Sequence, residues 1–306
     1  MGEPSMKSQN DRKDCWDVQP FELGWKCRFN AMASPCEILF AKCSATEARS
    51  LSEMAFSEVK RIEQKFSRYR DDNIVHRINN SNGQRVDIDD EVERLLTFAD
   101  QCYQVSDGLF DITSGVLRKV WRFDGSGNVP TAEDIVALLP LVGWETVRHT
   151  SNTVQLNRGM ELDFGGIGKE YAVDRVLLML SEKFQQPMLI NFGGDIATNG
   201  MLFPDHRWSV GVEAISNDAV TKLLDVSGGA IATSGDSRRF LLRDGVRYTH
   251  VLSPKTGWPV KNAAHSMTVA APSCVQAGML STIALLQGEN AESFLDEMDV
   301  TCWSQR

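Results

Sequence analysis

Between positions 163 and 174 the chain reads DFGGIGKEYAVD, a glycine-rich turn that runs into a lysine and then into an amphipathic helix. Small residues let backbone approach an anion closely, and the free amides of a helix N-terminus face it with partial positive charge. Such a construction suits a nucleotide pyrophosphate. Taken alone, it serves equally as a tight turn packed beneath a helix. Five further segments carry side chains capable of chemistry: FSRYR at 66–70, GLFD at 108–111, NFGGD at 191–195, TSGD at 233–236 and HVLSPKTGWP at 250–259. Each has a plain structural reading. Tyr69 can be an ordinary half-buried aromatic, Asp111 a cap for the turn before Thr113, Asp195 a strand end and His250 a structural histidine. Their joint occurrence is what favours a site.

Amphipathic periodicity predicts a helix over 45–65, with Leu51, Ala55, Val59, Ile62 and Phe66 on one face, and a second over 90–105, with Val92, Leu95, Leu96, Ala99 and Cys102 buried. A short helix is expected over 131–139, with a Thr cap and Glu133 and Asp134 in its first turn. The helix after Lys169 carries Ala172, Val176, Leu177 and Leu180, and another spans 275–286. The continuous apolar run at 188–192 suits a buried strand, and shorter strands are expected at 207–212, 223–226 and 266–271. Strands at 239–243 and 246–252 flank Asp244-Gly245, a two-residue hairpin signal. These elements describe one α+β unit over 25–306, behind a flexible polar leader over 1–24.

A length of 306 residues suffices for a full core. The balance of 32 basic and 41 acidic side chains, net −9, argues against a broad nucleic-acid surface. An anionic ligand must then be met by local amides, a few cations or a metal. No apolar run reaches transmembrane length, and the first residues lack the apolar stretch of a secretory signal. Seven cysteines, an odd number without a CxxC pair, suggest neither a disulfide framework nor a zinc site, and the cytoplasm is the expected compartment.

In this order the segments resemble the ApbE family, the FAD:protein FMN transferases once described as thiamine-biosynthesis lipoproteins. The resemblance covers about residues 31–288: AMASP where the family has Ala-Met-Gly-Thr, FSRYRDD with a later Asn79, GLFDIT, GGIGKEYAVD, NFGGDI, ATSGD with Arg238, HVLSPKTGWPV, and AGMLSTIALLQG against the family's Ala-Asp-Ala-Leu-x-Thr. It implies an ApbE-like, T-fold-related α+β architecture of mixed sheets and helices around an FAD cleft. By the same resemblance Met32 and Tyr69 flank the flavin or adenine rings, Leu109, Phe110, Asp111 and Leu252 line the nucleotide, and Asp195 bonds a sugar or ring edge. Tyr171 and His250 approach the reacting phosphates, and Lys169 adds positive charge.

The implied reaction transfers FMN from FAD to a Thr or Ser of a partner flavoprotein, with release of AMP. His250 has the intrinsic pKa to act as base or to stabilise phosphate charge. The family's magnesium ligands align with the Gly168 carbonyl, Gly278 and Thr282. Gly278 stands where the family has its Asp, so the site's only charged ligand is missing. Glu170 replaces a usual Gly, Ser253 a common Asp and Ser237 a common Tyr. Either Glu170 supplies the carboxylate, in which case Gly278→Asp leaves activity unchanged, or catalysis has decayed with FAD binding retained. A noncatalytic FAD binder and an FAD pyrophosphatase are the alternatives to the transferase.

Overall fold

The computed structural model describes residues 15–123, 128–212, 222–236 and 240–306; Ser237 and Arg238 lie outside the described residues. The chain opens with an antiparallel meander of β1 (Asp17–Phe21), β2 (Gly24–Ala31) and β3 (Ser34–Ala41). Residues 17–24, expected within the flexible leader, instead belong to the fold, because β1 completes the edge of the sheet and buries Val18. Met32 and Ala33 turn β2 into β3 with φ of 51° and 56°, a left-handed pair of the type I′ kind.

Helix α1 (Ala45–Phe66) starts at a Ser44 cap and buries the predicted face. After α2 (Ile74–Asn79) and β4 (Val86–Asp87), α3 (Asp90–Val105) likewise buries Val92, Leu95, Leu96, Ala99 and Cys102. Asp111 caps a 3-10 turn over Ile112–Lys119. Helix α4 (Ala132–Leu138) begins at a capping box between Thr131 and Asp134. Strands β5 (Arg148–His149) and β6 (Thr153–Gln155) join β4 in a small sheet.

The second half supplies α5 (Gly168–Ser181), β7 (Met188–Phe192), β8 (Asp195–Thr198), β9 (Trp208–Val212), β10 (Lys222–Val226) and β11 (Gly229–Gly235). It ends with β12 (Phe240–Arg243), β13 (Val246–Thr249), β14 (Ser266–Ala271), α6 (Cys274–Leu286), α7 (Ala291–Glu297) and β15 (Cys302–Gln305). The hairpin of β12 and β13 turns at Asp244-Gly245 as predicted, but β13 stops at Thr249, leaving His250 just beyond it. Eight strands form the main sheet in the order β1-β2-β3-β7-β8-β11-β14-β15, with every neighbouring pair antiparallel.

Helices α1, α5 and α6 cover one face of this sheet. The hairpin of β9 and β10 covers part of the other, where Leu189, Ile196 and Ile231 pack with Trp208 and Leu224. Strand β7 is apolar on both sides because both of its faces are buried. Among the described residues no helix is long and apolar enough to cross a membrane.

Helices α5 and α6 are pinned at one point. The carboxylate of Asp174 accepts the backbone N–H groups of Cys274 and Val275, each at 2.8 Å, capping α6 from its neighbour. Residues four apart share a helix face. Glu170 lies one turn before Asp174, and Gly278 one turn after Cys274. The two are in contact, so α5 and α6 run antiparallel at this seam.

Candidate functional site beneath the glycine turn

The glycine turn is held from both sides. Asp163 accepts the Gly165 N–H at 2.9 Å, donates its own N–H to the Ile112 carbonyl at 2.9 Å and pairs with Arg68. Arg68 also donates to the Tyr69 hydroxyl at 2.8 Å, which links FSRYR to the turn while Tyr69 itself stays 75% exposed. The Phe110 ring packs beneath Gly166, 3.5 Å from where a Cβ there would lie. The N-terminus of α5 has no side-chain cap.

From that terminus, three consecutive side chains point in three directions, as about 100° of rotation per residue requires. Lys169 reaches Asp195, Nζ to Oδ2 at 2.7 Å, across the Gly193-Gly194 turn. Gly193 has φ of 62°, and a Cβ there would lie 2.7 Å from Ser34, so this turn and the start of β3 fit only without a side chain. The backbone of Met32 in the adjacent turn donates to Glu63 Oε1 at 2.5 Å.

Glu170 turns inward. It is buried, its Oε2 has no hydrogen-bond partner, and its Cγ would be 2.5 Å from a Cβ on residue 278. Burial first, then the charge of Asp195, push its carboxyl above the usual carboxylate range, with Lys169 opposing. Burial likewise raises Asp195 against the pull of Lys169. One ammonium therefore faces two buried carboxyls.

Thr282 lies one turn beyond Gly278 on α6. The Ser234 hydroxyl sits 2.8 Å from both Thr282 Oγ1 and Ser281 Oγ. Strand β11 thus touches α6 at Ser234, and Asp236 follows just beyond its end. The Asp236 carboxylate takes Arg247 in a two-pronged pair, at 2.9 and 3.1 Å, and meets His265 Nδ1 at 3.1 Å. Arg247 lies on β13, three residues before His250, so one acid ties the histidine-bearing hairpin to the sheet. The His250 ring stands 6.2 Å from Phe123, itself stacked on Trp121. Leu252 packs in the same apolar cluster with Trp258.

Residues 32–303 match the model described as the ApbE family. The chain belongs to the ApbE family. It is similar to an FAD:protein FMN transferase of Klebsiella pneumoniae, 33% identical over 259 residues that span 82% of this chain and 79% of the relative. The ApbE protein of Thermotoga maritima superposes with a TM-score of 0.83 at 29% identity, covering 91% of this chain and 93% of the other. The flavinyl transferase ApbE of Pseudomonas stutzeri, in its apo form, gives 0.81 at 26%, with 94% and 91% covered.

Not every residue implied by the family resemblance gathers here. Lys169, Glu170, Asp195 and Gly278 form one contiguous cluster. The Asp111 carboxylate is taken up by the Thr113 N–H and hydroxyl and the Trp144 N–H, at 2.6–3.0 Å, so it serves as a cap. Leu109 is half-buried in the preceding turn. Tyr171 points away: its hydroxyl donates to Glu91 Oε1 at 2.7 Å, in a groove of about 750 Å³ between α1, α3 and α5. The pairs Asp236–Arg247 and Met32–Glu63 went unread in the sequence. No local pattern announces partners 11 and 31 residues apart.

Proposed function

We propose that this chain is an FAD:protein FMN transferase of the cytoplasm, acting on a flavoprotein that presents a Thr or Ser acceptor segment. The observation that carries the reading is the match of 32–303 to the ApbE family, together with the relative at 33% identity that bears this name. Seven cysteines without a disulfide fit a reducing compartment.

In the reaction the acceptor hydroxyl oxygen attacks the FMN-side phosphorus of FAD. A new O–P bond forms, the P–O bond to AMP breaks, and the hydroxyl proton passes to a base. Neutral His250 Nε2 or Nδ1 takes that proton, or its charged form steadies the phosphate. The uncapped amides at the start of α5 and the Lys169 ammonium meet the pyrophosphate charge, while Asp195 holds Lys169 in place. Met32 and Tyr69 offer a polarizable and an aromatic face to the rings, and Leu109, Phe110 and Leu252 the apolar walls.

Among the described residues no three acidic, imidazole or thiol side chains converge on one point. The oxygens present nonetheless suit a hard cation: the Gly168 carbonyl, the Thr282 hydroxyl and the unmatched Glu170 carboxylate. Magnesium held there would neutralise charge on the pyrophosphate.

Purified protein, FAD, magnesium and a flavoprotein acceptor domain test the reading by intact mass. The acceptor should gain one FMN, and His250→Ala should slow that gain by about 10²- to 10⁴-fold. Free FMN and AMP with an unchanged acceptor would mark a pyrophosphatase, and intact bound FAD a noncatalytic binder.

A further inference from the structure

The seam between α5 and α6 has room for one carboxylate, and Glu170 occupies it. A Cβ on residue 278 would meet Glu170 Cγ at 2.5 Å, Cδ at 3.0 Å and Oε1 at 3.0 Å. The glycine is thus the reason that Glu170 can lie where it does. A side chain at 278 and the present Glu170 conformer exclude one another. The cost of burying Glu170 is plain, since its Oε2 is enclosed without a partner and a second carboxyl stands beside it. Packing alone gives no reason for it, because an uncharged side chain of similar shape would fill the space without that penalty. A cation would.

We infer that Glu170 is the anionic ligand of a divalent cation of the magnesium or manganese class, and that it reaches the cation from α5 across the gap left by Gly278. Thr282, one turn along α6 from Gly278, would supply a second oxygen. The cation is then shared by two helices, one of which already caps the other through Asp174. Binding must therefore tighten the α5–α6 seam and raise the stability of the whole chain, which a site confined to α6 would do less. The inference also corrects the sequence-based expectation for Gly278→Asp. With Glu170 in place the new side chain collides with it, so the single substitution is harmful rather than silent.

The inference deepens the transferase reading, and its test separates the two. The full chain is titrated with MnCl2, with and without FAD, following bound manganese by electron paramagnetic resonance and Tm by fluorimetry. Wild type should bind manganese and melt higher with it. Glu170→Gln, which keeps the shape, should fold yet lose about tenfold or more in affinity, along with the Tm shift. Gly278→Asp should melt lower than wild type without binding more tightly. Glu170→Gly combined with Gly278→Asp should regain manganese binding to within about threefold of wild type, since it returns a single carboxylate to the seam. Unchanged binding by Glu170→Gln, tighter binding by Gly278→Asp alone, or no binding by wild type overturns the inference. Flavin transfer by wild type, scored in parallel, decides the function separately: transfer with manganese binding indifferent to Glu170 sinks only the cation assignment, and the reverse sinks only the transferase.

Discussion

Helix α5 separates two concentrations of charge built on opposite rules. On its outer side, the groove against α1 and α3 pairs its carboxylates generously. Glu91 takes Arg61 at 2.6 Å and Lys65 at 2.6 Å, and Glu58 takes Arg61 at 2.9 Å and Arg175 at 3.1 Å. On its inner side a single ammonium, Lys169, faces both Asp195 and Glu170, and one carboxylate oxygen has no partner. The groove encloses about 750 Å³, yet its charges neutralise one another near water, where such pairs contribute little. The inner cluster keeps an imbalance where imbalance is costly.

The largest effect should come from the inner side. Lys169→Met leaves two buried carboxyls without a countercharge. Unfolding in urea should show a loss of about 3 kcal/mol, and flavin transfer should fall by about 100-fold or more. A loss below about 1 kcal/mol would mean that the inner charges are solvated and the contrast fails.

The outer side should yield less, and in a pH-dependent way. Burial raises the Glu91 carboxyl, but hydrogen bonds from Arg61, Lys65 and Tyr171 outweigh it and hold the group at about 2, below its ordinary 4.5. A depressed folded pKa contributes stability that is present above pH 4.5 and lost as pH falls toward 2. Wild type should therefore lose stability across that window, and Glu91→Gln should flatten the slope while leaving the transfer rate at pH 7 unchanged. A changed rate would connect the groove to catalysis.

The smallest effect belongs to Tyr171, whose phenol is pushed up to about 12 by burial and by its bond to Glu91. Tyr171→Phe removes one hydrogen bond, about 1 kcal/mol, and should leave KM for FAD alone. A several-fold rise in KM would return Tyr171 to the cofactor and erase the distinction between the two sides.

Legibility in the sequence followed the range of the interactions. Helices α1 and α3 display their buried faces because the 3.6-residue period is local, and Asp244-Gly245 marks its hairpin because both φ values are positive there. The opening meander was missed. Its alternation, Cys27, Phe29 and Ala31 inward against Lys26, Arg28 and Asn30, is short and broken by a turn of two non-glycine residues. The ordered motifs pointed to the family, while the direction in which Tyr171 points, toward Glu91 rather than toward Lys169 and Asp195, is set by packing that the motifs do not encode.

The sequence by itself determined which side chains could do chemistry, the helices that carry them and the family they belong to, because motif order and periodicity are properties of the chain. Only the tertiary structure decided what Gly278 means. Read along the chain, it is a ligand lost. Packed against α5, it is the space that admits Glu170, and that depends on the antiparallel register of two helices whose facing residues lie 108 positions apart in the numbering, 170 against 278.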